Sequence, residues 1–479
     1  MKHIYLFLFS LLILQACEEG NPLENMPPDT RIFLDEITLE GANRLNSVVK
    51  LHWLGEDQDG YISGYEVSQD AQNWGFTERT DSTFRFDIPL GSDTTDINFY
   101  IRSIDNKGAV DPEPAFLRVP IKNTPPTAKL DTVNLIPTVV YSAWSIFYRV
   151  DDLDGFETLD SSFIKINDGS WYPLDKNIDF LSFVPTASEQ EGVQDGLVYV
   201  GLDARLQTKP IEGLIVGGEN QIYLRNRDIS GSFSEIDSST IFIIRKRESD
   251  LLVIDAHGAS APDAVYFPIL DKVYPGYDLL NLRDELPPYW APTFELILKE
   301  YDKLFWYSDG AELDALGEQL LMEVAANQIQ GYLNDGGKLF MSARFPNSFN
   351  DPGQKGTSQV FAFSPMDSLS SSTGQARIPS DSKVFPIADF GTAYDTLTAG
   401  SFLTGVDVFY PKDPANVMFE AELVSTGGWT GPSSIIARGL FTNGQSNQIF
   451  VGVELHKLNG APLALENFFS QVLNVEFDW

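Results

Sequence analysis

Residues 57–60 read Asp-Gln-Asp-Gly and residues 152–155 read Asp-Leu-Asp-Gly, each after an apolar run. A second pattern, Tyr-x-Arg-x-x-Asp-x-x-Gly, occurs at residues 100–108 and again at 223–231. The two patterns follow each other in the same order both times. Repetition at this scale predicts an internal duplication that produces two tandem modules.

Each module is predicted to be a β-sandwich, the first over 29–121 and the second over 122–246. Short alternating runs such as 48–53 are separated by clusters of Asp, Asn and Gly, which is typical of strands joined by tight turns. The interval between the two patterns is longer in the second module, which predicts an insertion of about 28 residues within 176–215. Because loops on rigid sandwiches carry recognition, we expect this insertion to contact a partner.

The segment from Asp57 to Glu66 (DQDGYISGYE) carries the most specific resemblance, which is to fibronectin type III-like or immunoglobulin-like domains of bacterial surface proteins. That resemblance implies a spacing or interaction role and no particular chemistry. Carboxylates two residues apart are also potential calcium ligands, which makes Asp57, Asp59, Asp152 and Asp154 candidates for calcium sites. The alternative is a tight turn in which Asp accepts backbone N–H groups and Gly adopts positive φ.

Residues 247–479 have a different pattern. Short apolar runs at 251–255, 303–307 and 338–341 end at polar loops, and residues 315–333 have Leu and Ile at helical spacing. Alternating strands and helices predict an α/β doubly wound domain of the Rossmann or flavodoxin type. Ligands bind such domains at the carboxyl ends of the parallel strands.

The order YDKLFWYSDG, helix, GGKLFMSARF and IFVGVELH resembles class I glutamine-amidotransferase-like domains. The resemblance places the nucleophile elbow of that family at Ser342 or Ala343 and its late histidine at His456. The family uses Cys at the elbow, whereas the only Cys of this chain is Cys17. We therefore expect an amidotransferase-like domain that does not catalyse that reaction.

Ser342 and His456 are nevertheless candidates for a nucleophile and its base. Asp309 or Glu454 would then orient the imidazole ring. The alternative is that Ser342 simply ends a strand and that His456 has no chemical role.

Asp255 and His257 follow the first strand of this domain, where a small molecule or a metal ion could bind. Two ligands do not complete a metal site, so we expect no metal here and no cofactor other than a possible calcium ion. Four aromatic residues could stack on sugars, although such residues more often pack in cores: Tyr289, Trp290, Trp306 and Trp429.

The N-terminus has the pattern of an export signal. Residues 1–16 begin with Lys2 and continue with an apolar run over 4–14, which is too short to span a membrane and fits a secretory signal peptide. Together with Cys17 they resemble the lipobox of bacterial lipoproteins. The resemblance implies cleavage before Cys17 and acylation with chains such as palmitate, with residues 17–28 as a polar tether.

The acidic pair after the cysteine, Glu18-Glu19, resembles the surface-export signal of Bacteroidota lipoproteins. We therefore expect a lipid-anchored protein of the outer membrane that faces the cell exterior.

Charge and composition exclude several classes of protein. The 479 residues include 33 Lys and Arg against 68 Asp and Glu, a formal net charge of −35. Such a surface repels phosphate backbones, which excludes a general nucleic-acid binder. One Cys and four His leave no disulfide framework and no cysteine-based zinc site.

These observations predict a surface lipoprotein that acts as a binding or accessory subunit of an outer-membrane protein complex. The insertion at 176–215 and the long polar segment 348–381 are the expected contact surfaces. The alternatives are an extracellular hydrolase that uses the α/β domain and a glycan-binding surface protein.

Overall fold

The computed structural model describes residues 24–34, 44–282, 290–308, 321–345, 359–370, 374–404 and 406–478. The chain divides into two compact units. One holds the residues up to Ala128 with Val150–Ser161 and Asn226–Glu235, and the other holds Lys129–Arg149, Ser162–Arg225 and the chain from Ile236 onward. Among the described residues, no helix is long and apolar enough to cross a membrane.

The first module is built from seven described strands in two antiparallel sheets. They are β1 (Asp29–Leu34), β2 (Val48–Glu56), β3 (Ile62–Ser68), β4 (Gly75–Thr77), β5 (Asp81–Arg85), β6 (Thr94–Asp105) and β7 (Ala115–Lys122). Strands β1, β2 and β5 form one sheet, and β4, β3, β6 and β7 form the other in that order. Trp53 of β2 and Phe99 of β6 share one buried cluster, and the rings of Phe84 and Phe99 lie 4.7 Å apart across the sheets. This arrangement confirms the predicted β-sandwich.

The repeated Asp motifs of the first module are hydrogen-bond acceptors. Asp57 Oδ1 accepts the N–H of Asp59, and Asp59 Oδ1 in turn accepts the N–H of Met26. Asp105 Oδ2 accepts a hydrogen bond from Asn25 Nδ2. The repeated pattern therefore fixes the chain where it enters the module.

The second module repeats these contacts at matching positions. Asp152 Oδ1 accepts the N–H of Asp154, and Asp154 Oδ2 accepts the N–H of Thr124 at 2.7 Å. Asp228 Oδ2 accepts a hydrogen bond from Asn123 Nδ2 at 2.6 Å. Asn123-Thr124 thus corresponds to Asn25-Met26 of the first module. The repeated Asp residues make the same contacts in both modules.

We expect Asp105→Ala to lower the free energy of unfolding of the first module, because it removes the carboxylate that accepts hydrogen bonds from Asn25, Lys107 and Ala109. Asp105 is buried, and its Oδ1 accepts the N–H groups of Lys107 and Ala109, each at 2.8 Å. Urea unfolding of the full chain measures the loss. The matched control is Asp87→Ala at an exposed position, and equal stability of the two variants would contradict the prediction.

The second module also has two sheets. Its strands are β8 (Thr127–Leu130), β9 (Val139–Val140), β10 (Trp144–Asp151), β11 (Leu159–Ile166), β12 (Tyr172–Asp175), β13 (Phe180–Pro185), β14 (Gly192–Val200), β15 (Arg205–Leu206), β16 (Ile211–Val216), β17 (Glu219–Asn220), β18 (Ile222–Asp228), β19 (Asp237–Ser238) and β20 (Phe242–Ile244). One sheet has the order β17-β20-β16-β14-β13-β10-β8, with β15 on β14 and β9 on β20, and the other has the order β12-β11-β18-β19. A single turn of 3₁₀ helix, Phe156–Thr158, precedes β11. The prediction of tandem β-sandwich modules is confirmed.

The predicted insertion at 176–215 is not a loop but part of a sheet. It contains β13, β14, β15 and most of β16, which lie within the larger sheet of the second module. Every residue of β13 is buried. The extra residues enlarge the sheet, and their strand character follows from apolar runs such as Phe180–Pro185.

The C-terminal region is organised around one mixed sheet of nine strands. The strands of the region are β21 (Leu251–Ala256), β22 (Asp278–Asn281), β23 (Lys303–Ser308), β24 (Lys338–Ser342), β25 (Met366–Leu369), β26 (Gln375–Arg377), β27 (Lys383–Pro386), β28 (Leu397–Thr398), β29 (Phe409–Pro411), β30 (Val417–Ala421), β31 (Val424–Thr426), β32 (Ser434–Leu440) and β33 (Ser446–Val451). The order of the large sheet is β22-β21-β23-β24-β33-β32-β30-β27-β28. The first five strands are parallel, and each later neighbour is antiparallel. Two short antiparallel pairs, β25 with β29 and β26 with β31, complete the strands.

Helices cover both faces of the parallel strands. They are α1 (Asp263–Val273), α2 (Glu295–Lys299), α3 (Leu321–Val324), α4 (Ala326–Asn334), α5 (Val360–Phe363) and α6 (Pro462–Gln471), with π-helical turns at Trp290–Phe294 and Val472–Glu476 and 3₁₀ turns at Pro414–Asn416 and Leu455–Leu458. Successive residues of a strand point to opposite faces of the sheet. Phe305 accordingly packs in the cluster that contains α1 and α6, and Trp306 packs in the cluster that contains α2 and α4.

The prediction of a doubly wound α/β domain of the Rossmann or flavodoxin type is not supported. Four of the nine strands of the large sheet are antiparallel to their neighbours, and most of the described elements between β24 and β33 are strands. Antiparallel strands need only short connections, so this part of the chain builds sheet without crossover helices.

Candidate functional site

The parallel strands bring two distant histidines to one edge of the sheet. His257 follows β21, and His456 follows β33, so both lie at the carboxyl ends of their strands. The next two strands along the chain lie on opposite sides of β21, with β22 on one side and β23 on the other. A reversal of strand order of this kind is where open parallel sheets bind ligands.

His257, Glu454 and His456 form a compact cluster at this edge. His257 Nε2 lies 3.5 Å from Glu454 Oε1, and the two imidazole rings lie 5.7 Å apart at an angle of 88°. One potential ligand atom from each of the three residues lies within 4.8 Å of the other two. Within the described part of the chain, this is the only set of three or more His, Cys, Asp or Glu side chains placed to share an ion.

The loop after β21 fixes the His257 ring. The His257 N–H donates to Asp255 Oδ1 at 2.9 Å, so the carboxylate shapes the loop. His257 Nδ1 lies 3.0 Å from both the carbonyl oxygen and the amide nitrogen of Ala259. Nδ1 is therefore satisfied by backbone, and Nε2 faces Glu454.

Tyr266 of α1 holds the other histidine. Its hydroxyl accepts the N–H of His456 at 2.8 Å, and the two rings meet edge to face at 6.0 Å. Burial lowers the pKa of His456 to about 4. The imidazole is therefore neutral near pH 7 and keeps a nitrogen lone pair for binding.

Glu454 is ionised and held by two cations. Burial alone would raise its pKa, but hydrogen bonds from His257 and Lys457 and the charges of Lys457 and Arg344 lower it to about 2. Lys457 Nζ lies 2.6 Å and Arg344 Nη1 3.3 Å from Glu454 Oε2. Both cations contact Oε2, which leaves Oε1 directed at His257.

Ser342 lies at the same edge, but its hydroxyl makes hydrogen bonds with backbone groups. Its hydroxyl donates to the carbonyl oxygen of Val453 at 2.9 Å and accepts the N–H of Leu455 at 3.1 Å. Its proton is thus committed to a carbonyl, and the predicted nucleophile–base pair with His456 is not formed. Ser342 instead fixes the turn that carries Glu454 and His456. Asp309, the other acid considered for that pair, lies outside the described residues.

The four calcium candidates lie in the turns of the two modules. Their oxygens accept backbone N–H groups, as described above, and Asp59 Oδ2 also pairs with Lys107 Nζ at 2.8 Å. The turn interpretation accounts for these contacts. Gly155 adopts φ 122°, and a side chain at Gly60 would collide with Asn106 Oδ1, so both motif glycines are required sterically.

The aromatic candidates for glycan binding are not exposed where they are described. Trp306 is fully buried in β23, and Trp429 is buried with its Nε1 donating to Ser370 Oγ at 3.1 Å. Neither ring can stack on a sugar, so both belong to the packing alternative. Tyr289 and the side chain of Trp290 lie outside the described residues, as do Cys17 and the signal segment.

Sequence reasoning missed three residues of the site. Arg344 and Lys457 approach Glu454, and Asp407 Oδ2 accepts the N–H of Phe345 at 2.7 Å beside them. The available signals were the Glu-x-His sequence at 454–456 and the position of Arg344 directly after a predicted parallel strand.

No family model and no curated protein sequence matches the chain. Among solved structures, the fibronectin(III)-like modules of Clostridium thermocellum CbhA match at 13% identity and a TM-score of 0.18, over 45% of this chain and 95% of that one. A two-domain fibronectin type III segment of chicken tenascin matches at 11% identity and a TM-score of 0.19, over 46% of this chain and 99% of that one. Both matches are to fibronectin type III-like modules, and the tandem modules of this chain are β-sandwiches by their own strand pairing.

Proposed function

We propose that this chain is a lipid-anchored outer-membrane protein that faces the cell exterior and acts as a binding or accessory subunit, with its ligand site at the carboxyl edge of β21 and β33. The observation that carries the proposal is the convergence of His257, Glu454, His456, Arg344 and Lys457 at the strand-order reversal. Two imidazole rings, one carboxylate and two cations offer directional contacts to a polar ligand.

Binding is favoured over serine hydrolysis by the contacts of Ser342. A nucleophilic serine needs its proton directed at a base, and this hydroxyl donates to the Val453 carbonyl instead. Ser342 therefore serves to shape the turn at 453–456.

The remaining parts of the chain fit a tethered binding protein. Acyl chains on Cys17 would hold the protein in the membrane, and residues 17–28 would give it reach. The net charge of −35 would keep the surface of the protein from adhering to anionic lipid headgroups.

Affinity purification of the full-length lipoprotein in mild detergent, followed by mass spectrometry, tests the proposal. We expect the wild type to retain a stoichiometric outer-membrane partner and a Glu454→Gln/His456→Ala double variant to lose most of it. His52→Ala, in the first module, is the matched control and should behave as the wild type. A wild-type protein that purifies alone would refute the accessory role, and equal retention by the double variant would refute the assigned site.

A further inference from the structure

We propose that His257, Glu454 and His456 bind one divalent transition-metal ion, of which Zn²⁺ is the representative, through His257 Nε2, Glu454 Oε1 and one nitrogen of His456. This inference rests on the proposed function, because it names the ligand of the same edge. Three ligands from two neighbouring loops leave at least one coordination position open.

The spacing of the ligand atoms suits such an ion. Two ligands at 2.0–2.1 Å from one tetrahedral ion lie about 3.3 Å apart. His257 Nε2 and Glu454 Oε1 are 3.5 Å apart, and no pair in the cluster exceeds 4.8 Å. Small side-chain rotations therefore close the set around one ion.

The surroundings of His257 and Glu454 also fit a metal site. A metal-bound imidazole usually donates its other N–H to a backbone carbonyl or a carboxylate, and His257 Nδ1 lies 3.0 Å from the Ala259 carbonyl oxygen. Ligating carboxylates are likewise hydrogen-bonded on the far side, and Glu454 Oε2 receives Lys457 and Arg344.

The donor set selects the class of ion. Two imidazole nitrogens and one carboxylate oxygen suit Zn²⁺ and its first-row neighbours, whereas Ca²⁺ and Mg²⁺ prefer oxygen ligands throughout. The two cations on Oε2 reduce the negative charge at the site. Most of the affinity for an ion would therefore come from the two imidazole nitrogens.

Titration of the chelator-treated full-length protein tests the inference. Calorimetry with Zn²⁺ should give one ion per chain, and Co²⁺ should give visible d–d absorption bands from a nitrogen-containing site. His257→Ala, Glu454→Gln and His456→Ala should each weaken Zn²⁺ binding at least about 100-fold. The control His52→Ala should bind as the wild type.

Stability measurements separate loss of ligands from loss of fold. Zn²⁺ should raise the Tm of the wild type and of His52→Ala but not that of Glu454→Gln, which keeps the shape of the side chain. Stoichiometry below about one ion in five chains, or unchanged affinity in His456→Ala, would overturn the inference. If wild-type protein binds no Zn²⁺ while the double variant still loses its partner, the metal inference fails and the proposed function stands.

Discussion

Trp306→Ala should lower the free energy of unfolding of the C-terminal region by about 3–5 kcal/mol. Trp306 lies in β23, near the middle of the parallel strands, and its side chain is 0% exposed. It packs edge to face on Phe294 at 6.3 Å, within the cluster formed with α2 and α4. Truncation leaves a cavity that neighbouring strands cannot fill, because they are fixed by the sheet. Urea unfolding measures the loss of free energy, and calorimetry measures the accompanying fall in Tm.

Trp306→Phe is the informative partner of this variant. The indole Nε1 has no hydrogen-bond partner within the described part of the chain, so Phe removes an unsatisfied buried donor together with some packing. We therefore expect a loss of less than about 2 kcal/mol. Trp74→Ala, in the first module, should leave the C-terminal transition unchanged. A loss below about 1 kcal/mol in Trp306→Ala would show that the ring is not part of the core.

Trp306 also shows what a sequence can and cannot indicate about burial. The run at 303–308 indicates a buried parallel strand because all its central residues are apolar. The same tryptophan counted as a sugar-stacking candidate, since aromatic side chains serve both purposes. Only the helices packed on both faces of β23 decide between them, and those contacts depend on residues far along the chain.

The parallel and antiparallel halves of the large sheet differed in how far they could be predicted. Strands β21, β23 and β24 are short apolar runs that end at polar loops, and the sequence indicated each of them. Strands β27 and β30 are short, and β30 has bulges in its pairing with β32. Irregular register interrupts the alternation on which strand prediction relies, so this half was not anticipated.

Several residues of the candidate site were predicted from the sequence, but the contacts between them were not. Asp255 and His257 were selected because they come at the end of the first parallel strand. Ser342 and His456 were selected from the resemblance to amidotransferase-like domains. All four lie at one edge of the sheet. Their roles depend on contacts between strands that are remote in sequence. Ser342 bonds the turn after β33, a pairing that no local pattern indicates.

Asp407→Asn should stabilise the protein at pH 8 by up to about 4 kcal/mol and have little effect at pH 4. Asp407 is fully buried near Arg344 and Glu454, and burial raises the pKa of its carboxyl to about 7 despite the N–H bond from Phe345 and the charge of Arg344. An unfolded Asp has a pKa near 3.9, so between about pH 4 and 7 the folded state binds more protons. Wild-type stability therefore falls as pH rises through this interval.

The asparagine variant isolates this effect, because its side-chain carbonyl can still accept the N–H of Phe345 but cannot ionise. The difference in Tm between variant and wild type should grow from pH 4 to pH 8, as measured by calorimetry at several pH values. Asp389→Asn, at an exposed position, should show no such growth. A pH-independent difference would mean that Asp407 is ionised in the folded state throughout. A carboxyl that lowers stability at neutral pH, placed near Arg344 and Glu454, fits an edge whose residues serve binding rather than stability.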